Sequence, residues 1–149
     1  MEIVHMPNRL KSESGQILFL FAAIFPVIML FVMLMVDFGG AALTYHRAQV
    51  AADSAAYAAA QGVYIHLFSQ LNEVLLDPGL AAGLASQYGT AISRGRLHIV
   101  QFAVQDDRVW IVGEMEYPTL FARVIGLSVI RVRVISSASP AFGIDTRGQ

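Results

Sequence analysis

Glu114 and Glu116 are the one regularly spaced pair of carboxylates in this chain of 149 residues. Two positions apart on a strand, they share a face. Paired carboxylates on one face are the residue types for general acid–base work. Arg131 and Arg133 repeat the same spacing further along. Two alternating acids and two alternating bases on neighbouring strands predict cross-strand ion pairs on a solvated face, worth a few tenths of a kcal/mol each (about 0.3). The second reading is a face turned to a partner protein.

The remaining polar residues suggest still less chemistry. His5, His46, His66 and His98 show no spacing of three or four from one another, or from a carboxylate on an evident common face. No metal-ligand set is therefore expected. There is no G-x-S-x-G, P-loop, dinucleotide fingerprint or H-E-x-x-H. The absence of cysteine excludes thiolate ligands, cysteine nucleophiles and disulfides. A net charge of −1, with Lys11 the single lysine, provides no basic field for nucleic acid. The expectation is a chain that is not an enzyme, with no cofactor, no small-molecule substrate and no nucleic-acid partner.

One polar residue is conspicuous by its place. Asp37 directly follows ILFLFAAIFPVIMLFVMLMV, residues 17–36, twenty positions without a charge, an amide or a hydroxyl. A helix of that length covers about 30 Å, the hydrocarbon thickness of a bilayer. Fourteen of the twenty are Leu, Ile, Val or Phe, which favours insertion by about 4–8 kcal/mol. Pro26 opposes it by about 3 kcal/mol at most. Residues Ile17 to Val36 are therefore expected to form a transmembrane helix, and Asp37 is a membrane-boundary charge. Its role is either to mark that boundary, or to pair with a neighbouring subunit or cap the point where the helix emerges.

On either side of the span the pattern changes. Residues 1–16 form a short polar lead with Arg9 and Lys11 near the span, against Arg47 behind Asp37 on the far side. That bias predicts a cytoplasmic N-terminus. Residues 37–63 are dominated by alanine, the strongest helix former. They predict that the helix continues through Gly39 and Gly40 to about Gln61. The small residues in GGAAL, 39–43, thus fall inside a helix and do not read as a signal cleavage site. Ala51, Ala52, Ala55, Ala56 and Ala59 form a smooth stripe, a candidate packing face for neighbouring helices.

Residues 64–137 are expected to form a small α+β extracytoplasmic domain. Tyr64, Leu67, Phe68, Leu71, Val74 and Leu75 lie at helical spacing, and Asp77-Pro78-Gly79 reads as a turn. Leu80, Leu84, Tyr88 and Ile92 predict the apolar face of a helix over 80–94. Residues 97–105 and 108–116 read as strands joined at Asp106-Asp107. Pro118 opens a short helix with Leu120, Phe121, Val124 and Ile125 on one face and Gly126 as its stop. Residues 128–136 form a third strand, with Ile130, Val132 and Val134 on one side. Residues 138–149 are a loose tail.

Residues 13–61 resemble the N-terminal module of TadE/TadG-like proteins of the tight-adherence (Tad, Flp) pilus systems. The elements that carry the resemblance are Glu13, Gly15 and Gln16, then Pro26, then Val36-Asp37, then Tyr45 and Arg47, then the Ala run around Asp53. The resemblance implies a pilin-like α+β fold and a bitopic protein of the bacterial inner membrane, N-terminus in and C-terminal domain out. It also implies a minor pilin or pseudopilin type of role, with other pilus subunits and the lipid bilayer as partners. Gly15–Gln16 is then the candidate prepilin processing bond. Substrates of that peptidase carry Glu at the fifth position after the cut, where this chain has Leu20. A single-pass anchor or scaffold subunit of another envelope complex is the alternative reading.

Overall fold

The computed structural model describes residues 13–62, 76–105 and 108–140. The lead with Arg9 and Lys11, the segment carrying Tyr64 to Leu75, the Asp106-Asp107 turn and the tail beyond residue 140 lie outside them. The described elements are α1 (Glu13–Ala60), α2 (Pro78–Ser93), β1 (His98–Gln105), β2 (Arg108–Pro118), a 3-10 turn (Ala122–Ile125) and β3 (Val129–Ala138). The class is α+β.

Helix α1 runs unbroken for 48 residues, about 72 Å at the usual rise. It passes through Pro26, Gly39 and Gly40 without interruption. Among the described residues it is the one helix long and apolar enough to cross a membrane. Its apolar half is exposed along its length, and its outer half is the spine of a core.

The three strands form an antiparallel sheet in the order β1-β2-β3. Glu114 pairs with Arg133 and Glu116 with Arg131, in register. Their side chains meet at 3.0 and 3.1 Å on the exposed face, as the alternation predicts. The opposite face carries Val109, Ile111 and Met115 with Val132 and Val134, and it lies against α1. A bulge between Ile99 and Gln101 re-phases β1, so that Ile99, Phe102 and Val104 all turn toward the core.

Ala51, Ala52, Ala55, Ala56 and Ala59 are all 0% exposed. The chain itself covers this face, with the sheet on one side and α2 on the other. Alanine suits the position because a methyl lets both elements approach the helix backbone closely. Gly62 takes this furthest, since a Cβ there would lie 2.9 Å from the Ala81 backbone nitrogen.

Three local expectations are corrected. Asp77-Pro78-Gly79 is the start of α2 and not a separate turn. The Asp77 carboxylate accepts from the Gly79 and Leu80 amides at 2.8 and 3.1 Å, and Pro78 sits in the first turn. The buried stripe of α2 is Ala81, Ala85, Gly89 and Ser93, one residue along from the predicted one. Leu80, Tyr88 and Ile92 are exposed. Two stripes of small residues allow α1 and α2 a close approach that large side chains between them would prevent.

Pro118 likewise does not open a helix. It ends β2 opposite Val129, and only Ala122–Ile125 turn, as a 3-10 helix, before Gly126 at φ 92°. The apolar residues of this segment, Leu120, Phe121, Val124 and Ile125, are exposed.

Candidate functional site

The described residues contain no cluster of three or more His, Asp or Glu placed to hold a metal ion. What they contain is a carboxylate built into a backbone cradle. Asp37 lies on α1 one residue past the apolar run and is 2% exposed. Its Oδ1 accepts from the Leu120 amide at 2.7 Å, and its Oδ2 from the Phe121 and Ala122 amides at 2.9 and 2.6 Å. The Tyr117 hydroxyl donates to Oδ1 at 3.4 Å.

These three amides open the 3-10 turn, where no preceding turn supplies carbonyls for them. A carboxylate from another element fills that need, acting as an N-cap from more than eighty residues away. Burial works to raise the carboxyl's pKa, but the Leu120, Ala122 and Phe121 amides and the Tyr117 hydroxyl outweigh it. Asp37 is therefore held below the ordinary carboxylate range. Tyr117 moves the other way, raised first by burial and then by the charge and hydrogen bond of Asp37.

The surroundings are shaped to this contact. A Cβ on Gly40 would fall inside the Tyr117 phenol, so glycine makes room for the ring. Gly39 has open space around it. Thr119 closes the base of the loop, its amide donating to the Ser128 carbonyl at 3.1 Å and its hydroxyl to that of Leu127.

A second carboxylate repeats the device further out. Asp53 accepts from the Ser136 hydroxyl at 2.7 Å and from Gln49 Nε2 at 2.8 Å. Gln49 also reaches the Ile135 carbonyl at 3.3 Å. Thus β3 is tied to α1 at a polar point beside the alanine stripe. Asp37 gives both carboxylate oxygens to the β2–β3 loop, whereas Asp53 holds Ser136 of β3 and Gln49 of its own helix through Oδ1 alone.

Of the residues singled out from the sequence, Asp37 sits at this junction and the five alanines lie beneath the sheet and α2. Gly15 and Gln16 are exposed in the first turn of α1. Sequence reasoning did not find Tyr117, Gly40 or the Asp53–Ser136 contact. A lone carboxylate on a face of alanines was the available signal for Asp53.

The Tad family model, described as "Putative Flp pilus-assembly TadE/G-like", matches residues 15–62. Over that stretch, about a third of its length, the chain is similar to that family. No curated protein and no solved structure matches the chain. The TadE/G-like module coincides with α1 and the residues just after it. Both carboxylates, Gly40 and the alanine stripe fall inside it. The groups they hold, residues 117–138, fall outside it.

Proposed function

We propose that the chain is a membrane-anchored, non-enzymatic component of Tad/Flp pilus assembly, of minor-pilin or pseudopilin type. Residues 17–36 span the inner membrane, with the lead 1–16 in the cytoplasm. From Asp37 the helix continues outward to Ala60, and residues 64–137 form the extracytoplasmic domain. The observation that carries this reading is the match over 15–62, together with one continuous helix whose inner half suits lipid and whose outer half is the core of a small sheet domain. Other pilus subunits are its partners. The exposed apolar face of α1 is satisfied equally by lipid or by packed copies of similar helices.

The experiment is deletion of the coding sequence in its own host, with pili counted by electron microscopy. Loss of Tad-type pili, restored by complementation, is expected. Wild-type piliation would leave the envelope-anchor alternative standing and remove this one. The Gly15–Gln16 bond is tested by intact mass of the membrane-extracted protein. With Leu20 where processed subunits carry Glu, the lead should remain attached, and a mature start at Gln16 would contradict that.

A further inference from the structure

The loop between β2 and β3 is the membrane-proximal tip of the sheet domain, and it has the wrong surface for water. From Leu120 to Val129 it carries Leu120, Phe121, Val124, Ile125, Leu127 and Val129, with Arg123 its one charge. Val124 is 85% exposed and Ile125 70%. Residues this apolar are normally buried in a short loop.

Three observations say what covers them. The first is depth. Asp37 fixes the loop to α1 one residue past the span. Ile125, Leu127 and Ile130 then line a cleft of about 270 Å³ with Leu34 and Phe38. Leu34 lies two residues inside the end of the apolar run, about 3 Å along the helix.

The second is continuity, because the loop's apolar surface joins that of the spanning helix through this cleft. The third is the backbone. Asp37 takes the Leu120, Phe121 and Ala122 amides. Beyond them, the Val124, Gly126 and Leu127 amides donate to the Phe121, Arg123 and Ala122 carbonyls. Irregular backbone enters a low-dielectric region only when its polar groups are satisfied internally. An exposed loop in water has no such need.

We infer that residues 120–127 are a membrane-inserting tip: Val124 and Ile125 enter the outer edge of the hydrocarbon, and Arg123 reaches back to the lipid phosphates. The occupant of this surface is the bilayer, at the boundary between headgroups and acyl chains. The inference rests on residues 17–36 spanning the membrane.

The absence of cysteine makes the test direct. Single cysteines at Val124, Val27 and Gln87 in the full chain are labelled with the environment-sensitive fluorophore NBD and reconstituted into phosphatidylcholine–phosphatidylglycerol vesicles. Gln87 is the control: its helix packs near Ala55, about 27 Å out from Asp37 along α1. The Val124 probe should emit at shorter wavelength than the Gln87 probe. It should be quenched by nitroxides on the upper acyl chain and protected from aqueous iodide. Iodide quenching of Val124 with no effect of lipid nitroxides would overturn the inference. So would shielding that appears only at high protein-to-lipid ratio, since a second copy would then be the cover. The Val27 probe separates the two readings. Deep quenching there with a wet Val124 sinks the tip alone, whereas a wet Val27 sinks the span.

Discussion

Asp37 owes its environment to neutral donors. Among the described residues no cation stands against it; its charge is held by three amide dipoles and a phenol. That makes the junction between loop and helix sensitive to acid. The group's pKa is lowered in the folded protein, so its contribution is complete above the ordinary carboxylate range. It is lost as pH falls through the lowered folded-state value. Tyr117 is raised, so its contribution is present at neutral pH and disappears only on the alkaline side of the tyrosine range. Asp37→Asn should therefore melt earlier than the parent at neutral pH, followed by the fluorescence of the single tryptophan, Trp110. The gap should close as the pH is lowered, and a gap that persists unchanged into acid would contradict the charge-based account.

Gly39 and Gly40 offer a contrast between adjacent residues. Alanine at either improves helix propensity by about 1 kcal/mol. At Gly39 nothing stands in the way, so Gly39→Ala should stabilise. At Gly40 the new methyl meets Tyr117, and overpacking of this kind costs about 1–3 kcal/mol. Gly40→Ala should lower the melting temperature, and the two variants measured side by side separate the contact from the propensity.

At the scale of elements, composition alone identified the long apolar helix, and alternation identified the three strands to within two residues. Alternation even carried the Glu114–Arg133 and Glu116–Arg131 pairs. Those pairs are exposed, and Glu114→Gln should shift stability by only a few tenths of a kcal/mol (about 0.3). The stripe on α2 was not legible. Hydrophobicity favours Leu80, Leu84, Tyr88 and Ile92, but the partner surface is made of methyl groups, and fit to it favours Ala81, Ala85 and Gly89. A sequence states which side chains are apolar and not which partner they will meet. Hence Ala85→Leu should cost about 1–3 kcal/mol by overpacking. Ile92→Ala, on the exposed side, should stay within about 0.5 kcal/mol of the parent. The opposite ranking in thermal melts would mean that α2 packs by its larger residues. The cradle of Asp37 was equally hidden, because its donors lie more than eighty positions away and are backbone groups that carry no side-chain signature.

At the scale of the whole molecule, the outer half of α1 and the elements after it share their two hydrophobic clusters. Six alanines from Ala48 to Ala59, each 0% exposed, are the floor on which β2, β3 and α2 stand. A fragment beginning at residue 64 lacks that floor and both anchoring carboxylates. It should show no cooperative Trp110 transition, whereas a fragment beginning at Asp37 should retain one. A cooperative melt from the shorter piece would mean that the sheet has a core of its own.

The unbroken path of α1 from Glu13 to Ala60 makes the protein a lever. No joint separates the apolar half from the half beneath the sheet, so, with the apolar half in lipid as proposed, the sheet domain has no independent heading. Turning the helix about its axis in the bilayer turns the sheet by the same angle. A lean of about 20°, ordinary for a spanning helix, carries the far end at Ala60 sideways by about 12 Å over an arm of about 36 Å. On that proposed placement, whatever grips the apolar segment steers the domain at the other end, and a load on that domain is felt where the segment is held.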